Sequence, residues 1–177
     1  TPHDAKGLLL EAIRDPDPVL FLEPLRGYRL ISGEVPEEDY TVPFGKLRVV
    51  REGTDVTLVG WSGSVPLCEE AAETLAENGV SAHVIDLRTL VPLDEEGLVA
   101  AVEKTGRCVV VHESPAACGF GAEVIAILQE QAFYSLEAPM RRVTAPDAPY
   151  PIPGLEAFYA PNAGQVVRAA QQTLNGT

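Results

Sequence analysis

Strand and helix signals alternate from Asp55 onward in this 177-residue chain, and few architectures accommodate such an alternation. Residues 56–61 are rich in β-branched side chains and read as a strand. Ser64 is placed to cap a following helix, with Pro66 in its first turn. That helix puts Cys68, Ala71, Ala72 and Leu75 on one face and stops at Asn78-Gly79. Residues 82–87 read as the next strand, and Asp94 caps a helix carrying Leu98, Ala101 and Val102, closed by Lys104 and Gly106. A third strand is expected over 107–112, a long apolar helix over 121–136 and a fourth strand over 140–144. After a proline-rich loop from Pro146 to Pro161, Asn162 and Gln165 have the spacing of a capping box for a last helix. Val166, Ala169, Ala170 and Leu174 give that helix its apolar face. The pattern predicts a three-layer α/β domain with a largely parallel sheet and helices on both faces.

Upstream of Asp55 the organisation differs. Residues 4–14 read as a short helix with Leu8, Leu9, Ala12 and Ile13 on one face, stopped by Asp15-Pro16-Asp17-Pro18. Val19-Leu20-Phe21-Leu22 reads as a buried strand. Residues 24–53 lack periodicity and read as an ordered linker, with a short strand over 47–51. The apolar fraction, 46%, suffices for a core, so global disorder is excluded. No apolar run approaches the roughly 20 residues of a membrane span. Thirteen basic against 26 acidic residues give a net charge of −13, which disfavours nucleic acid and anionic membranes as partners and favours basic ones. Cys68, Cys108 and Cys118 are an odd set without CxxC spacing, as expected in a reducing compartment. The chain opens Thr1-Pro2-His3, so its start is expected to be an interior point of a longer protein.

Individual motifs carry little chemistry. Gly60-Trp61-Ser62-Gly63-Ser64 lacks the second glycine of a nucleophile elbow, and Cys118-Gly119-Phe120-Gly121 lacks the third glycine of a dinucleotide loop. Both read as tight strand-to-helix turns. His112-Glu113 reads as a satisfied, loop-anchoring polar pair, with a subunit-interface role as the alternative. His83 reads as structural, and Asp86 and Arg88 share a face, so they can pair or pin the loop after their strand.

The ordered set of motifs is more specific. His3-Asp4-Ala5-Lys6-Gly7-Leu8-Leu9, Phe21-Leu22-Glu23-Pro24, Glu34-Val35-Pro36 and Arg51-Glu52-Gly53-Thr54-Asp55-Val56-Thr57-Leu58-Val59 follow one another. Then come Asp86-Leu87-Arg88-Thr89-Leu90-Val91-Pro92-Leu93-Asp94, Lys104-Thr105-Gly106-Arg107 and Leu136-Glu137-Ala138-Pro139. Over essentially its whole length the chain resembles the C-terminal part of the β-subunit of thiamine-diphosphate-dependent 2-oxo acid dehydrogenases, the decarboxylating component of the pyruvate and branched-chain complexes. The resemblance implies a three-layer α/β/α sandwich with a mostly parallel, mixed sheet, like the transketolase C-terminal domain, in which one strand runs antiparallel. It implies three parts: residues 1–26 as the last helix and strand of an upstream pyrimidine-binding domain, 27–54 as an interdomain linker, and 55–177 as the C-terminal domain. Residues 1–26 are then expected to be poorly ordered or rearranged, because their strand has lost its sheet.

The same resemblance implies assembly with an α-subunit and a second β-subunit as α2β2, and docking of the basic subunit-binding domain of a dihydrolipoyl acyltransferase. Thiamine diphosphate and Mg would belong to the complete enzyme, and this segment alone is expected to be inactive. No residue here matches a catalytic or cofactor-binding position of the family. A partial potassium site is implied at Ala12, Asp15 and Asp17; the same residues also read as a helix-terminating turn. The compartment implied is the bacterial cytoplasm, or the mitochondrial matrix in a eukaryote. Two other readings stand beside this one: a free-standing, non-catalytic interaction domain of the same fold, and the C-terminal domain of a transketolase or deoxyxylulose-phosphate synthase.

Overall fold

The computed structural model describes residues 1–25 and 27–176. The expected boundary at Arg26 and the final Thr177 lie outside the described residues. Helix α1 spans Pro2–Arg14 and a single turn, α2, spans Gly27–Leu30. Strand β1 (Arg48–Arg51) precedes β2 (Val56–Gly60), α3 (Ser64–Glu77) and β3 (Ala82–Asp86). Then follow α4 (Glu95–Glu103), β4 (Cys108–Pro115), α5 (Gly121–Gln131) and β5 (Arg141–Ala145). A short turn, α6 (Glu156–Tyr159), leads to α7 (Ala163–Leu174).

The five strands form one sheet in the order β1-β3-β2-β4-β5. β1 runs antiparallel along β3 and the other three pairings are parallel, so the sheet is mixed, as the resemblance implies. β1 lies within the segment read as linker and forms one edge of the sheet. Alternation along the strands divides the core. Val56, Leu58, Val84, Val109 and Val111 face α3 and α7 through Cys68, Ala71, Leu75, Val166 and Ala170. Val59, Ile85, Cys108 and Val110 face α4 and α5 through Leu98, Val102, Val124 and Leu128. The result is the α/β/α sandwich expected from the alternating signals.

Caps set the helix ends. Asp94 accepts from the Gly97 amide at the start of α4, and Asn162 with Gln165 completes the capping box of α7. The Ser64 expectation is corrected: Ser64 is the first residue of α3, Gly63 occupies the cap, and no side chain caps that end. α5 is also shorter than the helix expected over 121–136, because a 3-10 turn over Phe133–Ser135 replaces its last turn.

Two upstream expectations change. Residues 19–22 are not a strand: Leu20 and Leu22 are 85% and 75% exposed, and no described strand pairs with them. An extended apolar segment needs a neighbouring strand for its N–H and C=O groups, and its composition alone does not supply one. α1 is formed, yet it docks through a different face from the apolar one. Ile13 is 70% exposed, while Asp4 and Gly7 are buried. At Gly7 a side chain would run into Val42 and Tyr40, so the missing Cβ allows that close approach.

Candidate functional site

The motif 86–94 turns out to fasten the segment before the sheet onto the domain. Arg88 has a left-handed backbone (φ 57°), and its amide donates to Asp86 Oδ1 at 3.0 Å. That turn directs the Arg88 guanidinium away from Asp86 and onto Asp4 of α1, at 2.8 Å. Arg48 on β1 lies between the two carboxylates, 3.4 Å from Asp4 and 3.3 Å from Asp86. Thr1 adds a hydroxyl donated to Asp4 Oδ2 at 2.8 Å. Thr89 accepts from the Gly45 amide, and Asp94 accepts from the Leu47 amide while facing Lys46 at 3.5 Å. A pocket of about 410 Å³, lined by His3, Asp4, Gly33, Glu34, Arg48 and Arg88, adjoins this clasp.

Burial pushes the Asp4 pKa up, but the Thr1 hydroxyl, then Arg88 and Arg48, outweigh it and hold the carboxyl below its ordinary value. The sign follows directly. A depressed folded pKa means that the clasp contributes fully above the unfolded value of about 3.9 and is lost as pH falls through the lower folded one. Amide-exchange protection of α1 is therefore expected to fall on acidification below about pH 4. An Asp4→Asn variant should show weak protection that no longer varies across that window; an unchanged profile in the variant would contradict this origin.

The other motifs meet in pairs. Glu52, from Arg51-Glu52-Gly53, pairs with Lys104, and His83 lies 3.5 Å from the same carboxylate. Gly53 passes so close to the backbone of Ala82 and His83 that no side chain fits. Arg107 pairs with Glu137 at 2.7 Å, and the Glu137 amide donates to the Gly106 carbonyl at 2.8 Å. These motifs brace neighbouring elements, and none assembles acid–base or nucleophilic chemistry. Beside Glu137 lies a groove of about 490 Å³ whose lining includes Phe133, Tyr134, Leu136, Pro139 and Met140. Tyr134 on its rim is 98% exposed.

Ala12 lies in the last turn of α1, Asp15 caps its C-terminal end and Asp17 follows two residues on. Pro16 has no N–H to give the Ala12 carbonyl, which lies at the negative end of the helix. One Asp15 oxygen accepts from the Asp17 amide at 2.9 Å, the turn that ends the helix. Carbonyl and carboxylate oxygens are the hard donors that suit an alkali cation. Among the described residues no group of three or more His, Cys, Asp or Glu side chains is placed to hold a metal ion.

Cys68 and Cys108 are buried, and burial pushes the Cys108 thiol up to about 12, so they serve as small core residues. His112 departs from its expected role. It is 1% exposed and lies inside β4, and neither ring nitrogen has a hydrogen-bond partner among the described residues. A buried imidazole without partners is not visible in a sequence, because the signal depends on which groups surround it.

The fold defines a class: a mixed α/β/α sandwich with one antiparallel edge. A family model described as transketolase, C-terminal domain, matches residues 45–166, more than half of the sequence, and the chain belongs to that family. It is 47% identical over 174 residues to the pyruvate dehydrogenase E1 component subunit beta of Bacillus subtilis (strain 168), covering 98% of this chain and 54% of that protein. It is 45% identical over 175 residues to the mitochondrial 2-oxoisovalerate dehydrogenase subunit beta 2 of Arabidopsis thaliana, covering 99% and 49%. The chain thus spans about half the length of these curated relatives. A split gene transketolase, solved as an inactive beta4 tetramer, superposes with a TM-score of 0.66 at 32% identity, covering 81% of this chain and 46% of that one. A 2-oxoglutarate:ferredoxin oxidoreductase from Magnetococcus marinus, 12% identical with a TM-score of 0.52, shares the fold over 74% of this chain and 20% of that one. No helix among the described residues is long and apolar enough to cross a membrane.

Proposed function

We propose that this chain is the assembly and docking part of the β-subunit of a 2-oxo acid dehydrogenase. The observation that carries the reading is the identity of 45–47% with β-subunits of two such enzymes over nearly the whole chain. In this reading residues 1–26 belong to an upstream pyrimidine-binding domain, 27–54 link it to the domain at 55–177, and the Asp4 clasp sets the angle between them. The apolar residues Leu20, Leu22 and Leu25, all exposed, suit contact with that upstream domain. The complete α2β2 enzyme would decarboxylate a 2-oxo acid on thiamine diphosphate with Mg and acylate a lipoyl group. Those cofactors would be held by residues outside this segment. Potassium would be bound by the Ala12 carbonyl, Asp15 and Asp17 together with further donors. The compartment would be the bacterial cytoplasm or the mitochondrial matrix.

Docking of the acyltransferase has an electrostatic basis. A chain at −13 attracts a small basic domain, and the groove at Phe133 and Tyr134 offers an apolar centre for contact. Titrating the chain with a basic subunit-binding domain should give binding at low salt that weakens steeply as salt rises. Tyr134→Ala should weaken it at every salt concentration. Absence of binding at low salt would sink the docking role, and salt-independent binding would sink its electrostatic part.

A further inference from the structure

His112 lies between an aromatic ring and a helix end. Its imidazole stacks on Trp61, with centroids 5.2 Å apart and planes 13° from parallel. Phe120 meets Trp61 edge-on at 5.9 Å. The remaining side is closed by Gly119 and Gly121 at the start of α5, where a Cβ at either position would collide with the imidazole. The first turn of α5 therefore rests directly on the ring. Neither Nδ1 nor Nε2 has a hydrogen-bond partner among the described residues, so even the neutral ring leaves one donor and one acceptor unmet there.

The charged surroundings oppose protonation. Arg142 on β5 is the charged side chain that acts on the ring. It also donates to the Ala116 carbonyl at 2.9 Å. From α5 the ring meets the positive end of an 11-residue helix without a side-chain cap, and the one acid of its first turn, Glu123, is exposed. On β4 itself, Glu113 directs its carboxylate to Gly63 at the start of α3. Asp147, in the loop after β5, accepts from the Ala117 amide. Cys118, before α5, is exposed, and the β2 side offers Trp61, which does not titrate. Burial first, and Arg142 second, move the His112 pKa below its ordinary value.

We propose that His112 is a proton-operated latch on the turn between β4 and α5: neutral, it lets Gly119–Gly121 close over it, and protonated, it forces that turn open. An imidazolium in this site would carry two unmet donors and a charge in contact with glycine and indole carbon. The ring gains water partners only if something moves. The turn is the weakest wall, because Cys118 holds a left-handed backbone (φ 57°) that a non-glycine residue adopts at a cost. The opposite wall is the central sheet. Opening would uncover Trp61 and Phe120 at the carboxyl end of the parallel strands.

The sign follows from the depressed pKa: the closed turn is fully favoured above the ordinary histidine value of about 6.5 and loses ground as pH falls through the lower folded value. Trp61 is the chain's single tryptophan, so its emission reports this site alone. Titrating the intact chain downward from about pH 8 should give one single-proton step in Trp61 emission below pH 6.5, with far-UV circular dichroism unchanged. His112→Phe should abolish the step. A flat emission until global acid unfolding, or a step that survives His112→Phe, would overturn the latch. Should that variant fail to fold, ring titration and amide exchange followed by NMR on the unaltered chain decide the matter. Faster exchange at Gly119–Gly121 in step with His112 protonation supports the latch; protonation without it overturns the latch.

Discussion

Replacing Arg88 with methionine is expected to release α1 from the domain while leaving the sheet intact. The Asp4 side chain is only 7% exposed, and its 2.8 Å partner would be gone. Removing one member of a buried ion pair costs about 3–5 kcal/mol, because the other charge stays desolvated. Arg48, 3.4 Å away, remains and places the cost near the lower end, about 3 kcal/mol. Few apolar contacts hold α1, since Gly7 is its only other buried residue. Such a penalty therefore exceeds what its docking can sustain, and the helix undocks before the core yields. Amide exchange would show protection lost over 2–14 and kept in β2, β3 and β4. Loss spread over the whole domain, or none at all, would contradict this division.

Leu58→Ala is expected to act globally. Leu58 is fully buried on β2, the central strand, in the half of the core filled by α3 and α7. Truncating such a side chain removes transfer free energy and leaves a cavity that a sheet of fixed spacing cannot close, at a cost of about 2–5 kcal/mol. For a domain of this size that corresponds to a Tm lower by roughly 10 °C. Protection should fall together in every strand and helix of the sandwich. A variant with an unchanged Tm would mean that Leu58 is not the packing centre its burial indicates. The two variants thus separate the clasp from the core: one loss is local and the other is shared.

Most of the sandwich was legible because it rests on short-range rules. The β-branched run along 56–60 set a strand, and caps at Asp94 and Asn162 set helix starts. Asn78-Gly79 and Gly106 set helix ends. Where the rules misled, a long-range partner decided. Residues 19–22 have the composition of a strand but pair with no described strand. α1 has an apolar stripe, yet docks through Asp4 and Gly7 because Arg88, Arg48 and Val42 lie on that side. Asp86 and Arg88 read as able to pair or to pin the loop after their strand; Asp86 pins it through the Arg88 amide, and the left-handed turn at Arg88 sends the guanidinium elsewhere.

By itself the amino-acid sequence determined the layer order, the helix and strand types and the family likeness, because periodicity, caps and motif spacing are properties of neighbouring residues. Only the tertiary structure decided which motifs touch: Glu52 with Lys104, Arg107 with Glu137, Asp4 with Arg88, and His112 with no polar partner. Pairing and solitude alike depend on what the folded chain brings within a few ångströms. A titratable group's charge is set by that surrounding dielectric and those neighbours, which no local pattern records.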